Sequence, residues 1–187
     1  MQKRLLITLM AMIIVGALVG CGVPTQVTGG GWIASNSGDG KANFGFNAEA
    51  CDDPFKAAGH FNFHDKNGLV AGGNPVVGGV KMNGNVTEAS KCVADDPSKP
   101  VTAGCNVCEG LLGIDGKIGY NAIVATYDST NPKAGGSGIV FACAKDNGEG
   151  ANAASDLAVI SVSGGPFDGY INRGAVQGNV QDHSCNQ

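Results

Sequence analysis

The sequence predicts an all-β fold: one antiparallel sandwich or barrel of about eight strands, with a single long cysteine-bearing loop. Three observations carry this. Apolar residues alternate with polar ones, as in "ANFGF" and "HFNFH", and no segment sustains a 3.6-residue apolar stripe. Glycine is the compositional outlier, at 31 of 187 residues against a usual level of about 7%, and it suits turns and flat sheet faces better than helices. Turn chemistry recurs between the alternating runs, at "NSGDG", "DKNG", "STNP", "DNGEG" and "SGGPFDG".

Residues 1–20 read as a leader outside the fold. Lys3 and Arg4 precede fifteen uncharged residues, Leu5 to Val19, too short for a membrane-spanning helix of about twenty. The run ends in "LVGC", which resembles the bacterial lipobox. That resemblance implies cleavage before Cys21, acylation of Cys21 (palmitate among the chains), and a lipoprotein held at the membrane of the cell envelope. Gly22 does not resemble an inner-membrane retention signal, so an outer membrane is the expected site in a Gram-negative cell. The expected mature chain has 167 residues, with 10 Lys+Arg against 16 Asp+Glu and a net charge of −6. That length suits one domain, and the acidic balance argues against nucleic acid as partner.

The elements follow in order. Residues 21–26 read as a tether, and 27–187 as the single β domain. Strands are predicted at 27–34, 41–50, 57–65, 76–87, 117–127, 138–144, 157–162 and 170–181. Residues 88–113, with three cysteines and two prolines but no alternation, read as the irregular loop. In "GHFNFHD" the alternation turns Phe61 and Phe63 inward. Pairing with the preceding strand sets Phe46 against Phe61 and Phe44 against Phe63. His60, Asn62 and His64 then share the outer face with Asn43 and Asn47. Trp32 reads as a core anchor.

Four stretches resemble one family. "VTGGGWI" (27–33), "GKANFGF" (40–46), "GHFNFHD" (59–65) and "GNVQDH" (178–183) resemble the glycine-rich bacterial surface domain called post-COAP, in order along nearly the whole mature chain. The resemblance implies an extracellular all-β module without assigned catalysis. This chain departs from that pattern in its 88–113 loop and at Asp182.

Candidate chemistry is sparse. Cys51, Cys92, Cys105, Cys108, Cys143 and Cys185 form an even set in an exported chain and read as three disulfides, with fifteen pairings open. The Cys105–Cys108 C-x-x-C lacks the strand-then-helix setting of a redox site. His60 and His64 are candidate metal ligands, but on a strand they stand about 13 Å apart, whereas a helix would place them at adjacent turns. Asp146 and Glu149 in "DNGEG" are candidate loop calcium ligands. Neither Ser137 nor Ser163 sits in a G-x-S-x-G frame, and there is no phosphate-cradling loop. No cofactor is implied.

The sequence therefore predicts a lipid-anchored envelope module acting by binding or surface architecture on a protein or glycan ligand. The alternative is an envelope metal-binding protein or hydrolase built on His60 and His64 with carboxylates from neighbouring strands.

Overall fold

A computed structural model describes residues 20–150 and 153–185, so the leader before Gly20 lies outside the described residues. Among the described residues twelve strands form: β1 (Gly22–Val23), β2 (Thr25–Ala34), β3 (Lys41–Ala50), β4 (Ala58–Asp65), β5 (Leu69–Val70), β6 (Asn74–Pro75), β7 (Val80–Cys92), β8 (Asn121–Ser129), β9 (Ser137–Lys145), β10 (Leu157–Ser163), β11 (Ile171–Ala175) and β12 (Gln177–His183). One helix, α1 (Ala103–Leu112), lies between β7 and β8.

The main sheet is antiparallel throughout and runs β11-β10-β9-β8-β7-β4-β3-β2-β12, with β1 added on β7. From β2 to β4 and from β7 to β11, strands consecutive in the chain are neighbours in the sheet, with α1 inserted between β7 and β8. Its two ends belong to one run of chain. β11 pairs with β10 and β12 pairs with β2, and only Val176 separates them. Asn172 donates to the Ala34 carbonyl at 2.8 Å and Asn36 to the Ile171 carbonyl at 3.0 Å, stitching β11 to the end of β2. The result is a nearly closed barrel, which leaves little free edge.

The interior follows from the alternation. Phe44, Phe46, Phe61 and Phe63 all point inward, paired Phe44 with Phe63 and Phe46 with Phe61. Each buried phenyl contributes about 2 kcal/mol of transfer free energy. The Phe63 ring meets Tyr170 edge-on, with centroids 5.4 Å apart. Glycine shapes β2 for these rings: a Cβ on Gly29 would lie 2.4 Å from the Phe46 ring. A buried carboxylate lies beside these rings. Asp65, fully buried, accepts from Ser35 Oγ at 2.9 Å, Tyr170 OH at 2.8 Å and the Asn67 amide at 3.1 Å.

Three expectations are corrected. The 88–113 segment is not an irregular loop: β7 continues to Cys92, and α1 occupies Ala103–Leu112. A bulge between Val86 and Glu88 shifts the alternation there. The shift sends Glu88 to the outer face, where its carboxylate accepts from the Ala103 amide (3.2 Å) and the Gly104 amide (2.6 Å). Thr102 caps the same turn through Cys105 N at 3.4 Å. Gly104 permits the close seat, since a Cβ there would lie 2.9 Å from the Ala122 side chain. At the other end of α1, Lys117 donates to Glu109 and, at 2.8 Å, to Asp95. Residues 21–26 are not a loose tether either. Gly22–Val23 pair with Cys92 and Lys91, Cys21 bridges Val101, and β2 already begins at Thr25. Trp32, finally, is no core anchor. Val27 and Ile33 take the inward positions of β2, leaving Trp32 half-buried on the outer face with the Lys41 ammonium 4.1 Å from its ring centroid.

The six cysteines form three bridges, Cys51–Cys185, Cys92–Cys105 and Cys108–Cys143. The last two fasten α1 to the outer face of β7 and β9 over Tyr120, Ala122 and Val159. The C-x-x-C thus lies on a helix, and each of its cysteines is bridged to a strand rather than to the other. Asp182, the departure in the last strand, pairs opposite Val27 and meets Lys91 at 2.5 Å.

Candidate functional site

Strand pairing determines what the outer face presents. Where Phe44, Phe46, Phe61 and Phe63 turn inward, the residues between them turn out: Asn43 faces His64, Gly45 faces Asn62, and Asn47 faces His60. β7 continues the rows, with Asn85 opposite His60, Asn83 opposite Asn62 and Lys81 opposite His64. β8 extends the middle row by placing Asp128 opposite Asn83. Asparagine is depleted in strands because its amide competes for backbone partners. Six asparagines nonetheless occupy this face, the sixth being Asn179 of β12, opposite Gly30.

The asparagines fall into two sets. Those at turns and strand ends are spent on the fold: Asn36, Asn131 and Asn172, for example, donate to backbone carbonyls. On the outer face, Asn47 accepts from the His60 amide at 2.9 Å. Among the described residues, no hydrogen bond within the chain engages the side chains of Asn43, Asn62, Asn83, Asn85 or Asn179, all of them exposed. Asn62, Asn83 and Asn85 converge with His60, Asp128 and Thr130 on a shallow cavity of about 460 Å³. Its floor is backbone at Phe61 and Gly84. Its groups are amides with one carboxylate, one imidazole and one hydroxyl.

The histidines occupy this face without forming a metal centre. Their cross-strand neighbours are amides and an ammonium rather than carboxylates. Among the described residues, no group of three or more His, Cys, Asp or Glu side chains is placed to hold a metal ion. Partial burial and the adjacent Lys81 hold the His64 imidazole below its ordinary range. Asp146 is committed elsewhere: its two oxygens accept from the Gly148 amide at 2.7 Å and the Asp182 amide at 3.0 Å, closing the β9–β10 loop. Glu149 stands exposed three residues on. The adjacent Asp156 clamps the same loop through Asn147 N (2.9 Å) and Val180 N (2.7 Å).

Cys21 is the one free cysteine, and it is buried. Its Sγ lies 3.4 Å from both the carbonyl oxygen and the amide nitrogen of Asp96. No described helix is long and apolar enough to cross a membrane.

Asn83, Asn85 and Asp128 were missed as site residues in the sequence. Their signal was present as the period-2 asparagines of "MNGNV", which continue those of "NFGFN" and "HFNFH". Comparison with known proteins returns no matching family, no matching curated protein and no matching solved structure.

Proposed function

We propose that this chain is a lipid-anchored module of a bacterial cell envelope that acts by binding, with the asparagine-rich outer face of β3, β4 and β7 as its contact surface. One observation carries the reading: five exposed asparagines stand on strands, where local propensity disfavours them, and none is used by the fold. Local rules are broken at functional sites more often than elsewhere. The rigid support is also there, since the face is built on paired strands rather than loops. The post-COAP-like motifs and the lipobox-like "LVGC" support the envelope setting, as does an even set of six cysteines bridged in pairs.

Acylation at Cys21 has a structural consequence. With its thiol buried against Asp96, a thioether-linked diacylglycerol requires the segment around Asp96 to stand away from residue 21. The barrel would then sit close to the membrane, because the chain re-enters the sheet at Gly22 without a spacer. Intact mass of the protein from its native host tests the anchor. The expected spectrum lacks residues 1–20 and carries acyl chains on Cys21. A chain with an unmodified Cys21 removes the anchor from this account and leaves an exported binding domain.

A further inference from the structure

We infer that the contact face takes an uncharged polysaccharide, laid across the strands along its middle row; this rests on the binding role proposed above. The middle row runs Asn179, Gly30, Gly45, Asn62, Asn83 and Asp128 over β12, β2, β3, β4, β7 and β8. Measured around the curved wall, six strands cover about 24 Å at the usual interstrand spacing, so a ligand meets only about three or four adjacent strands of the row at once, room for about three sugar units.

Chemistry selects the ligand class. An amide donates through its nitrogen and accepts through its oxygen, and a sugar hydroxyl does both as well. Asn62, Asn83 and Asn85 therefore match hydroxyls without a charge on either partner. A phosphate or sulfate polymer would want cations, but the cavity offers only His60 and places Asp128 at its end. An apolar ligand would leave the amides unpaired, which costs binding free energy. The profile of the face agrees. Gly30 leaves open space above the backbone, since the nearest atom to an added Cβ would be the Phe44 carbonyl oxygen at 3.8 Å. Gly45 beside it lies under the Asn62 side chain, whose amide nitrogen would be 3.0 Å from an added Cβ, so Asn62 stands between this open patch and the cavity. Thr28 and Asn47 border the patch on one side, and Asn43 and the half-buried Trp32 on the other. An indole next to a line of amides is a mixed wall suited to a sugar, which has both C–H faces and hydroxyl rims.

The test uses the native protein in a polyoxyethylene detergent that carries no sugar headgroup, passed over surfaces bearing dextran, mannan or xylan. Dextran sulfate serves as the polyanion. At least one neutral polymer should bind better than dextran sulfate. The triple variant Asn62→Ala, Asn83→Ala, Asn85→Ala should bind it about tenfold more weakly or worse, with Lys99→Ala, in the segment beside Gly22 at the far end of β7, unchanged. All four positions are exposed, and an unaltered thermal midpoint shows that the variants fold. The inference is overturned if no neutral polymer binds or if the triple variant binds undiminished. Binding of dextran sulfate alone, lost in the triple variant, also overturns the ligand class while leaving the face as a binding surface. The same binding retained in that variant overturns the face as well.

Discussion

Replacing Cys51 and Cys185 together by alanine should lower the stability of the barrel by about 5 kcal/mol, more than removal of either other bridge. The chain-entropy account scales with the loop closed. Separations of 134, 35 and 13 residues give about 5, 4 and 3 kcal/mol at 25 °C. Location points the same way. Cys51 follows the end of β3 and Cys185 follows β12, the terminal strand of the sheet order, whose ladder is to β2. Without the bridge, β12 is held by that ladder, by the Asp146 and Asp156 carboxylates on its Asp182 and Val180 amides, and by the Asp182–Lys91 ion pair, which is partly exposed and contributes little. Urea unfolding of the three double variants checks the ranking. If the Cys92/Cys105 variant is the least stable, the packing of α1 on β7 outweighs loop closure and the entropic account fails here.

The second large effect belongs to the interior. Asp65→Ala removes the acceptor of Ser35, Tyr170 and the Asn67 amide at once, leaving the buried Tyr170 hydroxyl without its acceptor and Ser35 Oγ with Ser37 Oγ alone as hydroxyl partner. The expected cost is about 3 kcal/mol or more. Tyr170→Phe should cost less, about 1–2 kcal/mol, because Asp65 keeps its other donors. The same network sets an alkaline limit. Burial, and then the neighbouring Asp65, push the Tyr170 phenol far above its ordinary 10.0. Above that pH the unfolded chain releases the proton and the folded chain keeps it. Folding stability is therefore fully present below pH 10 and falls above it, by about 1.4 kcal/mol per pH unit for this residue. Tyr170→Phe should flatten that slope. A Tyr170→Phe protein with an unchanged alkaline slope, or an Asp65→Ala protein as stable as its parent, would contradict the assignment.

What could be read from the residues depended on where side chains alternate. Phe44, Phe46, Phe61 and Phe63 set the β3–β4 register by themselves, since a one-residue slip would turn the two rings of one strand outward. β3 was legible to the residue, and the long last strand needed only its break at Val176. The helix was not legible. Two glycines, Gly104 and Gly110, lower its intrinsic propensity, and it is held by Glu88 and two disulfides, contacts that exist only after β7 has bulged. Trp32 was misplaced because Gly29 and Gly31 hide which face of β2 is inward. The candidate site was half legible. Asn43, Asn47, His60, Asn62 and His64 could be placed on one outer face, but composition assigns asparagine and glycine to turns, so Asn83 and Asn85 were not added to it. Only the β4–β7 and β7–β8 ladders bring them beside Asn62 and Asp128.

The central claim is that this outer face is the contact surface, and side-chain amide NMR tests it most directly. The folded protein is titrated with oligosaccharides of dextran, mannan and xylan while the asparagine NH₂ signals are followed. The account predicts that Asn62, Asn83 and Asn85 shift or broaden together, while Asn36, Asn131 and Asn172, whose amides are committed to backbone carbonyls, stay in place. Saturable binding that moves signals elsewhere and leaves those three still would contradict it.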